Sequence, residues 1–436
     1  MNNKQQNIRS MAVNAIGLIV HNKAFSTNVI KDNIKNIQNP KDQSLYREMV
    51  YGVTEKLLYI DYIISKASNT KLKKIERFVL DALRLGVYEL VFLRISNYAT
   101  LNEIVKIVKR KKGVRAANFT NGILRNIDRN IEEFKSVDID DPVKRLSVTY
   151  SYNEEIISYL MKYFKKEDLN SILDALSKRP SLSIRVNDNK TSIEVLQKSL
   201  REKGFNTKRS DIAENCLIVD KPFNLTDTQE FLNGHFTIQD QGSIKVSEVL
   251  NPTQNSLILD LCAAPGSKST HLAQISKGRS KVIANDISTT KLSKIEENFN
   301  RMDFDNYEIT NYDATVKVEE FVDKFDYVLV DAPCSGLGVI MRKPEIKLNR
   351  TLKEIKDLSN IQYKILNNAI DYLKKGGNIV YSTCTIGDLE NKDIVNKILK
   401  NRADVEIEMV NDKEYLEILP HINDSDGFFI VKFTKK

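Results

Sequence analysis

Cysteine is scarce in this sequence, and long apolar runs are absent. Four thiols, Cys216, Cys262, Cys334 and Cys384, serve 436 residues. They share no short regular spacing, which argues against a disulfide framework and against a cysteine-based zinc site. Reduced thiols in a cytoplasmic setting fit this usage. No apolar stretch reaches the ~20 residues that a membrane span needs. The opening "MNNKQQNIRSMAVNAIG" lacks the apolar middle of a signal peptide. There is no repeat at a solenoid period, no low-complexity tract and no triple-glycine dinucleotide fingerprint. His235, His271 and His421 do not fall near cysteines or acids at ligand spacing, so no metal is expected. The net charge of +8 is a mild surplus that permits a polyanionic partner without demanding one.

What is present divides the chain. Its length exceeds the roughly 250–300 residues at which single cores stop growing, so two or three domains are expected. Residues 4 to about 135 read as almost wholly helical: "NIRSMAVNAIGLIVHN", "ERFVLDALRLGVYELVFL" and "LNEIVKIVKRKK" place apolar residues at helical spacing, with polar links such as "SNYAT" between them. The stretch 108–130 gathers basic residues beside Phe119 and Asn121. It reads either as a solvated helix face over a buried Phe or as an RNA-contacting surface. Helical pattern continues through "EEIISYLMKYF" and "LNSILDALS". It then gives way to a small α+β module built from "SLSIRVN", "SIEVLQKSLREKG", "NCLIVD" and "HFTIQDQGS". From about 255, strand and helix alternate to the end, as in a doubly wound α/β domain. The expected domains are 1–140, all helical; 141–240, linker helices plus the α+β module; and 241–436, a Rossmann-like domain.

The strand ends of that last domain carry the chemistry. "LDLCAAPGSK", 259–268, is a buried strand, a tight turn and a helix start, where free backbone amides point outward. Asp286 ends the next strand and can accept both hydroxyls of a ribose. Asp313, after the third strand, is placed to meet a base edge. Acids in register at successive strand ends, without a pyrophosphate loop, imply a nucleoside ligand, and S-adenosylmethionine fits. "VDAPCSGLG" and "NIVYSTCTIG" then each put a cysteine just past an apolar run. A lone cysteine is usually a small buried hydrophobe. That reading is kept for Cys216 and, as regards reactivity, for Cys262.

Together "DLCAAPGSK", "VDAPCSGLG" and "YSTCT" resemble the 5-methylcytosine RNA methyltransferases over the last 200 or so residues. The first 135 residues resemble the helical NusB-type RNA-binding fold, with "NFTNGILRNI" matching the stretch that closes it. The combination resembles the RsmB-type 16S rRNA cytosine-5 methyltransferases across nearly the whole chain. One departure is Ser267, where the family usually has glycine before Lys268.

The resemblance implies a mechanism. Carbon 5 of cytosine is too weak a nucleophile to attack a methyl sulfonium unaided, and a thiolate added at C6 makes it an enamine. Cys384 is the implied attacking thiol. Asp331 would hold the N3 and N4 edge of the base, and Cys334 would act as base or release group. The implied cofactor is S-adenosylmethionine, held by Cys262, Ala263, Ala264, Pro265, Gly266, Ser267, Lys268, Asp286, Asp313 and Asp331. Arg185 and Asn187, in the "RVN" strand, and Arg342 and Lys343, in the basic loop "MRKPEIK", are the expected RNA contacts. The expected partner is 16S rRNA, naked or in early assembly particles, with a monomeric enzyme, no membrane and no metal. A tRNA or other rRNA cytosine, a non-catalytic RNA-binding or antitermination factor and a small-molecule methyltransferase are the alternatives. The DNA enzymes, which attack with the thiol equivalent to Cys334, are set apart by the "STC" motif.

Overall fold

The computed structural model describes residues 7–220 and 224–436. The first residues of the expected helical stretch, 4–6, lie outside them. The chain forms two compact units. One comprises Met1–Leu169 together with Arg342–Thr351, and the other Asn170–Met341 together with Leu352–Lys436.

The first unit is helical. Several of its helices begin where the sequence supplies caps. Asn7 accepts from the Ser10 amide ahead of Ile8–Asn22, and Asn39 precedes Pro40 at the start of Pro40–Glu55. Apolar residues at i, i+3 and i+4 then meet in one core with Ile16, Tyr46, Val50, Ile60, Leu83 and Leu124, all fully buried. The central helix Arg77–Phe92 is buried almost all round beyond its first turn, including the charges of Asp81, Arg84 and Glu89. These are paired: Arg84 reaches Asp61 at 2.7 Å and Asp81 at 2.8 Å, and Arg9 reaches Glu89 at 2.8 Å. Removing one side of such a buried pair costs about 3–5 kcal/mol. "SNYAT" is not a link. Asn97 opens a helical stretch running to Arg129, which breaks only at Gly113, where φ is 86°.

The loop "MRKPEIK", from Arg342 on, also belongs to this unit. Glu345 accepts from the amide and hydroxyl of Ser26, at 3.3 and 2.7 Å. The Lys347 ammonium is fully buried, donates to the Tyr150 carbonyl at 3.0 Å and lies over the Tyr152 ring. Burial lowers its pKa to about 7. The helices Pro142–Tyr150 and Glu154–Leu160 fall in this unit as well, rather than with the α+β module.

The second unit holds two sheets. The smaller is antiparallel, in the order β2-β3-β1-β4, with β1 Leu182–Val186, β2 Asn206–Arg209, β3 Cys216–Asp220 and β4 Phe236–Ile238. The larger sheet runs β10-β12-β9-β8-β5-β6-β7, with β11 also paired to β12. Its members are β5 Leu257–Asp260, β6 Lys281–Asn285, β7 Tyr307–Thr310, β8 Phe325–Asp331, β9 Leu373–Thr383, β10 Val405–Glu408, β11 Leu416–Ile418 and β12 Phe428–Lys435. Strands β5 to β9 are parallel and β10 to β12 antiparallel, so the sheet is mixed. Strand order reverses between β5 and β8, and the crevice at their carboxyl ends is where such folds bind ligands.

Candidate active site

The sequence that follows β5 turns sharply because Gly266 takes φ 98°, in the left-handed region. An added Cβ there would also meet the Ile295 Cα at 3.0 Å. Cys262–Lys268 thus wrap the start of the helix Ser267–Ile275. Ser267 has no such backbone requirement and is helical. Asp286, at the end of β6, accepts from the Ala264 amide at 3.0 Å and the Ser288 amide at 2.8 Å, so it is fixed beside the loop. Asp313 is exposed past β7 and caps Thr315, accepting from its amide at 2.9 Å. Asn285 ties these ends together. Its amide donates to the carbonyls of Leu261 and Tyr312, and its Oδ1 accepts from the Tyr312 amide.

Asp260 was not singled out from the sequence, yet it sits at the base of this turn. It is fully buried, accepts from Ser269 Oγ at 2.7 Å through Oδ2, and leaves Oδ1 without a partner. Burial raises its pKa to about 7. An orphaned buried acceptor at the base of the Gly266 turn, with acids just past β6 and β7, fits a nucleoside-bearing cofactor.

Strands β8 and β9 bring the predicted reactive groups together. Asp331 is in register with Ser382, whose hydroxyl donates to Asp331 Oδ1 at 2.8 Å. Lys268 reaches Asp331 Oδ2 at 2.8 Å, with its ammonium 5.6 Å from the centre of the Phe428 ring. Burial pulls the Lys268 pKa down, but Asp331, with a contribution from Cys384, more than offsets this and holds it above the usual lysine value. The Cys334 and Cys384 sulfurs are 3.2 Å apart. Its hydrogen bond to Cys384, and then burial, push the Cys334 thiol well above its ordinary pKa. Cys262 and Cys216 are also pushed up by burial, Cys216 to about 12, which makes them inert thiols.

Two further residues hold the thiols. Glu390 is fully buried. Its Oε1 accepts from the Ser335 amide at 2.8 Å and from Gln362, and its Oε2 accepts from the Ser335 hydroxyl. Asn391 donates to the Thr385 carbonyl and accepts from Thr383 Oγ1. One turn therefore grips the residue after Cys334 and both neighbours of Cys384. Gly338 donates to the Cys384 carbonyl at 3.1 Å, and a Cβ on it would lie 2.2 Å from the Gly427 carbonyl oxygen, so only glycine fits there.

The expected RNA contacts need correction. Arg185 is fully buried and donates to Gln274, Gln239, Thr270 and the Ser267 carbonyl. Burial, and then Arg301, lower its pKa to about 9. Asn187 is also fully buried and donates to the Gly234 carbonyl at 3.0 Å. Neither presents a group to RNA: Arg185 fastens β1 to the helix Ser267–Ile275. Lys343 is exposed and Arg342 partly so, in the segment that belongs to the helical unit. Among the described residues, no group of three or more His, Cys, Asp or Glu side chains could hold a metal, and no helix is long and apolar enough to cross a membrane.

A parallel sheet reversing beside a nucleoside-type crevice, with a paired thiol couple at the next two strand ends, defines a methyltransferase with a Rossmann-like catalytic domain. Family models agree and narrow the class. The 16S rRNA methyltransferase RsmB/F model matches residues 247–434, the NusB family model 6–129 and the RsmF/B ferredoxin-like domain model 156–226. The chain is 33% identical to the probable ribosomal RNA small subunit methyltransferase B of Bacillus subtilis, covering 99% of this chain and 100% of that one. The crystal structure of PH0851 matches with a TM-score of 0.81 over 98% of this chain and 99% of that one, at 22% identity, a likeness of fold alone. A methyltransferase homolog protein from Pyrococcus horikoshii matches with a TM-score of 0.61 and 27% identity over 68% of this chain and 100% of that one. This chain belongs to the 16S rRNA methyltransferase RsmB/F family.

Proposed function

We propose that the protein methylates C5 of a cytosine in 16S rRNA through a covalent bond from Cys384 to C6. The observation that carries this reading is the convergence of Cys384, Cys334, Asp331 and Lys268 at the ends of β8 and β9, with the two sulfurs 3.2 Å apart. Cys262–Lys268, Asp286, Asp313 and Asp331 would hold S-adenosylmethionine. Bound there, that cofactor supplies the methyl group on a sulfonium. The Cys384 thiolate attacks C6, and the Lys268 ammonium favours the charged sulfur. Asp331 accepts from the N4 edge of the ring and shares a proton at N3 as electron density moves toward C5. C5 takes the methyl group, and its proton must then leave.

Cys334 suits that last step for an electrostatic reason. Its pKa is raised first by the hydrogen bond to Cys384. Once Cys384 is bonded to carbon, its sulfur no longer draws that proton. The Cys334 thiol then ionises more readily, takes the C5 proton, and the C6–S bond breaks as C5=C6 reforms. A base flipped out of its stack is needed to reach both sulfurs, which favours a loop or bulge. The reading extends to 16S rRNA, naked or in early assembly particles, as substrate of a monomeric enzyme in the cytoplasm, where both thiols stay reduced.

The test is tritium transfer from labelled S-adenosylmethionine to unmodified 16S rRNA, with 23S rRNA and tRNA alongside. Label on 16S rRNA alone, lost in Cys384→Ala, is expected. Label on tRNA instead would overturn the substrate, and full activity in Cys384→Ala would overturn the nucleophile.

A further inference from the structure

Cys334 and Cys384 lie 50 residues apart in the sequence, on two different loops, yet their sulfurs are 3.2 Å apart. All four cysteines are free, and among the described residues no other two thiols are hydrogen-bonded to each other. Attack on a base and removal of its proton do not call for contact between the sulfurs, since each thiol then works on a different carbon of the ring. The loops build the contact in. The residues that follow the two thiols are joined directly, Ser335 Oγ to Thr385 Oγ1 at 2.7 Å, and the Leu337 amide donates to the same Thr385 hydroxyl at 3.2 Å. Gly338 adds its bond to the Cys384 carbonyl. Both backbones are therefore held at one separation. A bond between the sulfurs needs a movement of about 0.6 Å from each. Both side chains are partly exposed, so a small solute can reach them, whereas Cys216, at 1% exposure, is shut away.

We propose that Cys334 and Cys384 form an oxidisable dithiol, which hydrogen peroxide closes to a disulfide and a small thiol reopens. The Cys384 sulfur, as thiolate, attacks one peroxide oxygen. Its S–O bond forms, the O–O bond breaks, and the hydroxide released takes up a proton to leave as water. Cys384 is then a sulfenic acid. The Cys334 sulfur attacks it: the S–S bond forms, the S–O bond breaks, and the hydroxyl leaves with the Cys334 proton as a second water. Together the two thiols lose two electrons and the peroxide gains them. This order of attack follows from the hydrogen bond and the burial that keep Cys334 protonated. A small thiol returns both groups through a mixed disulfide. With the sulfurs joined there is neither a nucleophile for C6 nor a base for C5, so methylation stops. That consequence rests on the catalytic reading given above; the bond itself does not. The neighbouring thiol also protects. A sulfenic acid with no thiol beside it goes on to a sulfinic acid, which small thiols do not reverse. Cys334 captures it first, and the enzyme is recoverable.

The experiment uses the full chain, reduced and then treated with hydrogen peroxide. Free thiols are counted in denaturant, peptides are analysed without reductant, and methylation of 16S rRNA is measured before treatment, after it and after dithiothreitol. The count should fall from four thiols to two, with the peptides carrying Cys334 and Cys384 linked. Methylation should be lost with the thiols and restored by dithiothreitol. Cys216→Ala should start one thiol lower and show the same loss and recovery. In Cys334→Ala, Cys384 should instead reach a sulfinic acid that dithiothreitol does not reverse. Peroxide that leaves the two peptides unlinked, or that oxidises Cys384 singly in the wild type, would overturn the dithiol while leaving the catalytic reading intact. A linked, reducible pair in a protein that methylates no RNA before treatment would support the dithiol and sink the catalytic reading instead.

Discussion

The ends of β8 and β9 carry one thiol each, and they are built differently. Cys384 lies just past Thr383, the last residue of its strand, flanked by threonines that Asn391 ties down. Cys334 lies three residues past Asp331, in a loop fixed by Glu390 through Ser335 and by Gln362 through the Pro333 carbonyl. The first is a short extension of the sheet beside the Lys268 ammonium; the second is a clamped loop whose thiol is driven toward its protonated form. The same element in the same kind of place thus sits in two different surroundings, as the proposed division of labour requires. What separates them is the charge and hydrogen bonding around each sulfur, which a shared motif position does not convey.

The strongest way to break this comparison is to exchange the roles. Cys384→Ala should lower methyl transfer by about 10⁴-fold or more, as loss of a nucleophile does elsewhere. Cys334→Ala should instead allow a single turnover and then accumulate a protein–RNA adduct that survives a denaturing gel. If Cys384→Ala accumulated the adduct, the assignments would be reversed. Next in size is Glu390→Gln. It keeps the shape but converts one acceptor into a donor facing the Ser335 amide or hydroxyl, so the Cys334 loop should shift. A fall of about 10–100-fold in kcat with KM for RNA within twofold is expected, the signature of misplacement rather than lost binding. Lys268→Met removes the cation near Cys384. Its kcat for methyl transfer should fall about tenfold with the KM for S-adenosylmethionine within twofold, because Asp331 loses the ammonium that holds it. A raised KM for S-adenosylmethionine with kcat unchanged would mean that Lys268 serves the cofactor alone.

The smallest effect leaves both strand ends untouched. Buried Lys347 has a pKa of about 7, below the usual 10.5 of an unfolded chain. Between those values the unfolded chain holds the proton and the folded one does not, so folding grows less favourable as pH falls from about 10.5 to about 7, and no further below. In Lys347→Met, the change in Tm between pH 7 and pH 9 should be smaller than in the wild type. Equal slopes would place the ammonium in contact with water.

Asp286, Asp331 and Cys384 were legible because β6, β8 and β9 are apolar runs that stop abruptly at or just before them. The edge strands β2, β10 and β11 were not, since "NTKR", "VEIE" and "LEI" are short and carry charge, as sheet edges do. Glu390 was missed because "GDLENKD", ahead of the helix Lys392–Asn401, looks like ordinary acid enrichment at a helix start. Arg185 was misjudged because a basic residue in a short strand reads as a surface group, and nothing local reveals that distant chain will close over it. Only a pattern that pairs β1 with the later helix Ser267–Ile275 would have found Arg185.

The placement of Arg342–Thr351 in the helical unit bears on how the molecule is made. Ser26, Tyr150 and Asn153 leave the ribosome long before Glu345, Lys347 and Arg350, which complete their hydrogen bonds at the Ser26 hydroxyl, the Tyr150 carbonyl and the Asn153 amide. During synthesis the first unit can collapse around its core early, yet it waits for almost two hundred further residues before its last polar groups are satisfied. Completion of the amino-terminal fold thereby becomes a report that the strands bearing Asp286 and Asp331 have already been translated.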